Sequence, residues 1–90
     1  MTGIQAINEE RVRQIDGGWD DKNRGLNLDQ YIGIAVAYVG RATASYRNKP
    51  DEKREMLVKA AAVLAQTIDR IDDGSLDTAI PLGIPQRATA

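Results

Sequence analysis

Between residues 57 and 71 the apolar residues Leu57, Ala61, Leu64, Ile68 and Ile71 recur at alternating steps of four and three. That is the spacing of a helical seam packed against another helix. Val58, Ala62 and Ala65 widen the seam. Pro50 suits a first helical turn, where its missing N–H would have no partner anyway. Asp51 and Glu52 follow it and complement the partial positive charge of a helix start. Gly74 is a natural stop, since glycine takes a left-handed conformation cheaply. The pattern predicts one long helix over 50–72, and a chain organised around it is all-α.

Two further helices are expected before it. Thr2 and Gln5 fit a capping box, in which each side chain satisfies a free backbone N–H of the other. The helix that follows, over 4–15, carries Ile4, Ile7, Arg11 and Ile15 on one face, with Val12 beside it. Gly17-Gly18 ends it. Residues 19–27 are polar and read as a loop, with Trp19 pinning that loop to the core. Asn27, with Gln30 three residues on, caps the next helix. Its stripe is Leu28, Ile32, Ala35 and Val39, continued by Ala42 and Tyr46, with Ile34, Tyr38 and Arg41 on a neighbouring face. Gly33 and Gly40 cost about 1 kcal/mol each inside a helix. With Ala37 and Ala44 they form a small-residue strip, read first as a site of close packing within the chain and second as a subunit contact. The fold class expected is therefore an all-α, three-helix domain over 1–74. Residues 75–90 form an extended C-terminal arm or tail, since Ile80-Pro81-Leu82-Gly83-Ile84-Pro85 rejects helix.

Composition narrows the chemistry. Ninety residues make one domain. A chain this short buries a modest share of its surface, and such scaffolds are commonly stabilised by disulfides, metals or oligomerisation. With no cysteine, disulfides and thiolate metal sites are excluded, and a homo-oligomer is the expected stabiliser. With no histidine, imidazole ligands and the triads built on that base are excluded. A net charge of −1 argues against broad nucleic-acid binding. No apolar run reaches the roughly 20 residues of a membrane span. The N-terminus lacks the pattern of a signal peptide, so a cytoplasmic location and no membrane partner are expected.

Two sets of residues are candidates for a site. Tyr38, Arg41, Tyr46 and Arg47 lie on or near the second half of the middle helix. A tyrosine face can stack a base, and an arginine fork matches a phosphate bidentately. Arg13, Trp19 and Lys59 are expected to join them in a ligand-binding pocket. Lys59, among alanines, either snorkels to solvent or meets an anion. The competing reading is that the tyrosines cap the core and the cations are solvated. The second set is acidic. Asp69 and Asp72 share a helix face and are the candidates for magnesium, which prefers oxygen ligands. Against this, acids at a helix C-terminus oppose its dipole, so Asp72 and Asp73 are first expected to pair with Arg11, Arg13 or Arg70. No catalytic residue, resident metal or cofactor is assigned.

Glu10-Arg11-Val12-Arg13-Gln14-Ile15 followed by Gly18-Trp19, then Ala35-Val36-Ala37-Tyr38, then the run from Leu57 to Asp72 with its Ile68-Asp69-Arg70-Ile71-Asp72 close, resemble a family of small proteins encoded by tailed bacteriophages and prophages. The resemblance covers roughly residues 9–73. The family carries an acidic, histidine-containing stretch after the Gly-Trp pair. This chain has Asp20-Asp21-Lys22-Asn23-Arg24-Gly25-Leu26-Asn27 there, without histidine. A metal site at that stretch would be reduced here to Asp20 and Asp21.

The resemblance implies an infected bacterial host. Phages as a class encode small oligomeric helical proteins that sequester nucleotide second messengers of bacterial immunity, and that role suits a chain with tyrosine and arginine candidates and no histidine or cysteine. The functional expectation is a non-enzymatic, homo-oligomeric protein that sequesters a nucleotide-type ligand. The alternatives are a protein–protein adaptor or inhibitor of a host protein, and a divergent all-α, magnesium-dependent nucleotide pyrophosphohydrolase. Against the hydrolase, such enzymes pair a Glu-x-x-Glu on one helix with a Glu-x-x-Asp on another; here the one Glu-x-x-Glu, Glu52 with Glu55, is expected to face solvent, and only Asp69-x-x-Asp72 stands for the second.

Overall fold

A computed structural model of the chain describes residues 1–44 and 50–76. These residues form four helices: α1 (Gly3–Asp16), α2 (Trp19–Lys22), α3 (Leu28–Ala44) and α4 (Pro50–Asp72). The all-α class is as expected, and none of the described residues is in a strand. The 19–27 segment differs from expectation. It contains the short helix α2, started after Gly18, which takes a left-handed φ of 82°.

The helix ends follow the local chemistry. Thr2 and Gln5 close the capping box at α1. Asn27 and Gln30 close a second one at α3. Gly74, at φ 76°, turns the chain after α4 so that the Ser75 and Leu76 N–H groups both reach the Arg70 carbonyl. Leu76 is buried behind that turn.

α4 is the central element. α3 runs antiparallel along it: Tyr31 near the start of α3 meets Arg70 near the end of α4. At the other end, Lys53 donates to the Ala42 carbonyl at 2.6 Å. α1 packs on α4 as well, but the α1 and α3 backbones do not approach one another. α1 and α3 thus dock on different rows of α4.

The core is built of small residues. Ala35 of α3 and Ala60 and Val63 of α4 form its buried cluster, covered by Trp19, Ile34 and Tyr38. Trp19 thus pins its segment to the core as expected. Tyr31, fully buried, lies beside it with its ring centre 5.9 Å from that of Trp19.

Several expected core faces point outward instead. On α1, Ile4, Val12 and Ile15 are exposed, whereas Ala6 and Gln14 are buried. On α4, Leu57, Leu64, Ile68 and Ile71 are exposed, and burial falls on Ala60, Ala62, Val63, Gln66 and Thr67. On α3, Ala35 and Ala42 are buried as expected, but Ile32 and Val39 are not. A Cβ added at Gly33 or Gly40 would meet nothing within 4 Å. The small-residue strip is therefore not a packing surface among the described residues. On α4 burial moves off the most apolar face because α3 and α1 dock on two other rows.

Tyr46, Arg47 and residues 77–90, which hold most of the expected arm, lie outside the described residues. No helix among the described residues is long and apolar enough to cross a membrane.

Candidate functional site

A cleft of about 420 Å³ opens where α1 and α2 meet the C-terminal end of α4. Arg11 comes from α1, Asp20 from α2, and Arg24 from the turn after it. Gln66, Asp69 and Arg70 come from α4, and Asp73 and Ser75 from its C-terminal turn. The wall is thus balanced, with three arginines facing three aspartates.

Each group has a definite state. Arg11 grips Asp20 with two parallel hydrogen bonds of 2.8 and 2.7 Å, the bidentate geometry that fixes both partners. This clamp ties α2 to α1. Arg70 donates to the Tyr31 hydroxyl, to Ser75 Oγ at 3.2 Å and to the Ser75 carbonyl at 3.0 Å. Its guanidinium carbon also lies 5.3 Å from the Tyr31 ring centre. Arg24, at the rim, pairs with Asp21. Asp73 accepts from the Ser75 N–H at 2.8 Å. Ser75 hydrogen bonds, first to its side chain and then to its backbone, hold the Asp73 carboxyl below its ordinary range, with a smaller contribution from the Arg70 charge.

Two groups are left over. Asp69 is exposed and pairs with no described residue. Gln66 is only 2 % exposed, and its Oε1 has no hydrogen-bond partner. A buried carbonyl without a donor costs about 1–3 kcal/mol, so this oxygen stands ready to accept an N–H or O–H. Gln14 Oε1 on α1 is a second buried acceptor without a partner.

Of the residues expected to bind ligand, Trp19 and Tyr38 each pack on the core cluster. Arg41 lies over the Tyr38 ring, 5.3 Å from its centre. Arg13 is exposed and hydrogen-bonded to Glu10. That bond, with the Glu10 charge, raises its pKa, and Tyr38 and Glu55 add smaller effects. Lys59 pairs with Glu55, one turn earlier on α4, at 3.4 Å. None of these residues lines the polar cleft. The expected pairing of Asp72 or Asp73 with an arginine is not formed, because Arg11, Arg13 and Arg70 are committed to Asp20, Glu10 and the Tyr31–Ser75 pair. Among the described residues, no three acidic side chains gather as metal ligands.

Sequence reasoning missed Tyr31, Gln66 and the cleft around them. One signal was available: Tyr31, Ala35, Tyr38 and Ala42 recur at steps of four, three and four, the row that actually faces α4. Gln66 carried none, since a glutamine amid alanines reads as solvated.

Compared with protein-family models, curated proteins and solved structures, the chain matches none.

Proposed function

We propose that this chain is a non-enzymatic binding protein whose polar cleft holds a nucleotide-type small molecule. The observation that carries the reading is an arginine-rich cleft lined by Gln66, whose buried Oε1 has no hydrogen-bond partner. Turned toward the cleft, the Gln66 amide can accept from an exocyclic amine of a base, the pairing glutamine makes with adenine. Asp69 offers a second acceptor for a ring or sugar donor. Arg24, at the exposed rim, can exchange its pairing with Asp21 for a phosphate, a bidentate match for guanidinium. Sequestration by a homo-oligomer in an infected bacterial cytoplasm is the biological form of this reading, supported by the phage-like motifs.

The test is a thermal melt of the purified chain against cyclic di- and trinucleotides, ADP-ribose derivatives and deoxynucleoside triphosphates, with and without magnesium. A ligand at 100 times its dissociation constant adds about 2.7 kcal/mol, an easily resolved shift. The expected result is a shift without magnesium, with the ligand recovered unchanged, and no shift in Gln66→Leu. A shift that needs magnesium and yields product would replace sequestration with hydrolysis.

A second reading, a protein–protein adaptor, is favoured by one observation. Met1, Ile4, Val12 and Ile15 form an apolar row along α1, each more than half exposed. A melt unmoved by every nucleotide would sink the ligand reading and put the adaptor first.

A further inference from the structure

The largest apolar surface among the described residues is not on α1. In α3 the inward row is Tyr31, Ala35, Tyr38 and Ala42, and the exposed apolar residues Ile32, Val36 and Val39 each follow an inward one by a single position. In α4 the inward row includes Ala60, Val63 and Thr67, and Leu64 and Ile68 again follow by one position, with Leu57 and Ile71 on the same stripe. One position is a 100° turn about the helix axis. Because α3 and α4 are antiparallel, these equal turns bring both rows to the same side of the pair. α1 occupies the opposite side, against the row that holds Ala62 and Gln66.

The result is a two-helix apolar face whose large side chains are 41–61 % exposed. Seven large apolar side chains line it, Ile32, Val36 and Val39 from α3 and Leu57, Leu64, Ile68 and Ile71 from α4. Monomers rarely expose contiguous apolar patches of more than a few hundred Å².

We infer that a second copy of this chain covers the face, with the two α4 helices antiparallel across a two-fold axis beside Leu64. The four-three seam is the spacing that seats one helix on another. Charge selects the orientation. Arg54 precedes the seam and Asp72 follows it, eighteen residues or five helical turns apart, so both project from the same flank of α4. Both are exposed, and neither pairs with another described residue. In an antiparallel pair centred beside Leu64, Arg54 of each copy faces Asp72 of the other. A parallel pair would put these flanks on opposite sides of the interface, out of reach of one another. The self-complementary patch is what a two-fold dimer requires. This assembly replaces the small-residue strip and the arm as the expected subunit contact, and it is independent of what the cleft binds.

The test uses the full chain in sedimentation equilibrium and under mild oxidation. Leu64→Cys, in a protein without other cysteines, is expected to give a disulfide-linked dimer, whereas Val12→Cys on α1 is not. Arg54→Glu and Asp72→Arg are each expected to raise the dimer dissociation constant about tenfold, or ~1.4 kcal/mol, and the double reversal to restore it. Each single reversal favours the helix dipole, so weaker association cannot be put down to a weakened helix. A monomeric full chain, a dimer in which Leu64→Cys does not cross-link, or a double reversal that fails to restore association would overturn the proposal.

Discussion

The Tyr31 hydroxyl accepts a hydrogen bond from Arg70, thirty-nine residues further along the chain, and donates its own hydrogen to the Asn23 carbonyl at 2.5 Å. Asn23 in turn donates to the Trp19 carbonyl at 2.8 Å. One buried phenol thus joins the α2 turn, the start of α3 and the end of α4. The same arginine holds the Ser75 turn, so a wall of the cleft and the core share a fastening.

Removing that hydroxyl should loosen all three. Tyr31→Phe keeps the ring against Trp19 but leaves the Asn23 carbonyl and one Arg70 N–H without their partner. A loss of about 1–3 kcal/mol is expected, read as a lower urea midpoint with unchanged slope. Wild-type stability in Tyr31→Phe would show that water replaces the hydroxyl without cost.

Gln66→Leu should act in two opposite directions. It removes a buried acceptor without a donor and keeps the volume apolar, so the free protein should gain stability, by about 1–3 kcal/mol. The same variant should lose the ligand-dependent rise in melting temperature. A destabilised Gln66→Leu would mean that the oxygen already has a partner in the free protein.

Glycine to alanine should carry opposite signs at two positions. Gly18 stands at φ 82°, where a Cβ costs about 1–2 kcal/mol. Gly33 lies inside α3 with open space around it, so Gly33→Ala should stabilise by about 1 kcal/mol. Thermal unfolding of the two variants reads both. Destabilisation by Gly33→Ala, or weaker self-association, would return the small-residue strip to the role of a contact surface.

Acid should act on the turn after α4. The Asp73 carboxyl is held below its ordinary value by the Ser75 hydrogen bonds, then by Arg70. A depressed folded-state pKa contributes stability above the unfolded value, and that contribution is lost as pH falls through the folded value. Asp73→Asn should therefore flatten the pH dependence of stability below the ordinary aspartate pKa of 3.8 and leave it unchanged near neutral pH. Parallel wild-type and Asp73→Asn profiles across that acid window would refute the assignment.

Local chemistry was legible in the sequence. Thr2 with Gln5, Asn27 with Gln30, Gly18, Pro50 and Gly74 mark where helices start and stop, because capping and left-handed turns depend on residues only a few positions apart. Trp19 as an anchor was legible too, being the single large aromatic side chain of a polar segment. The cleft was not, because Arg11, Asp20, Gln66 and Ser75 meet only after α1, α2 and α4 are docked.

The sequence by itself determined that this protein is helical, where its helices begin and end, and that α4 carries an apolar seam for another helix. Tertiary structure alone decided which faces are used within one chain. α4 takes α3 and α1 on two rows rich in alanine, where backbones approach closely, and leaves Leu57, Leu64, Ile68 and Ile71 outside. Periodicity shows that a face is apolar; it does not say what covers it. That choice depends on where neighbouring helices dock, a balance of packing over the whole chain that no local spacing contains.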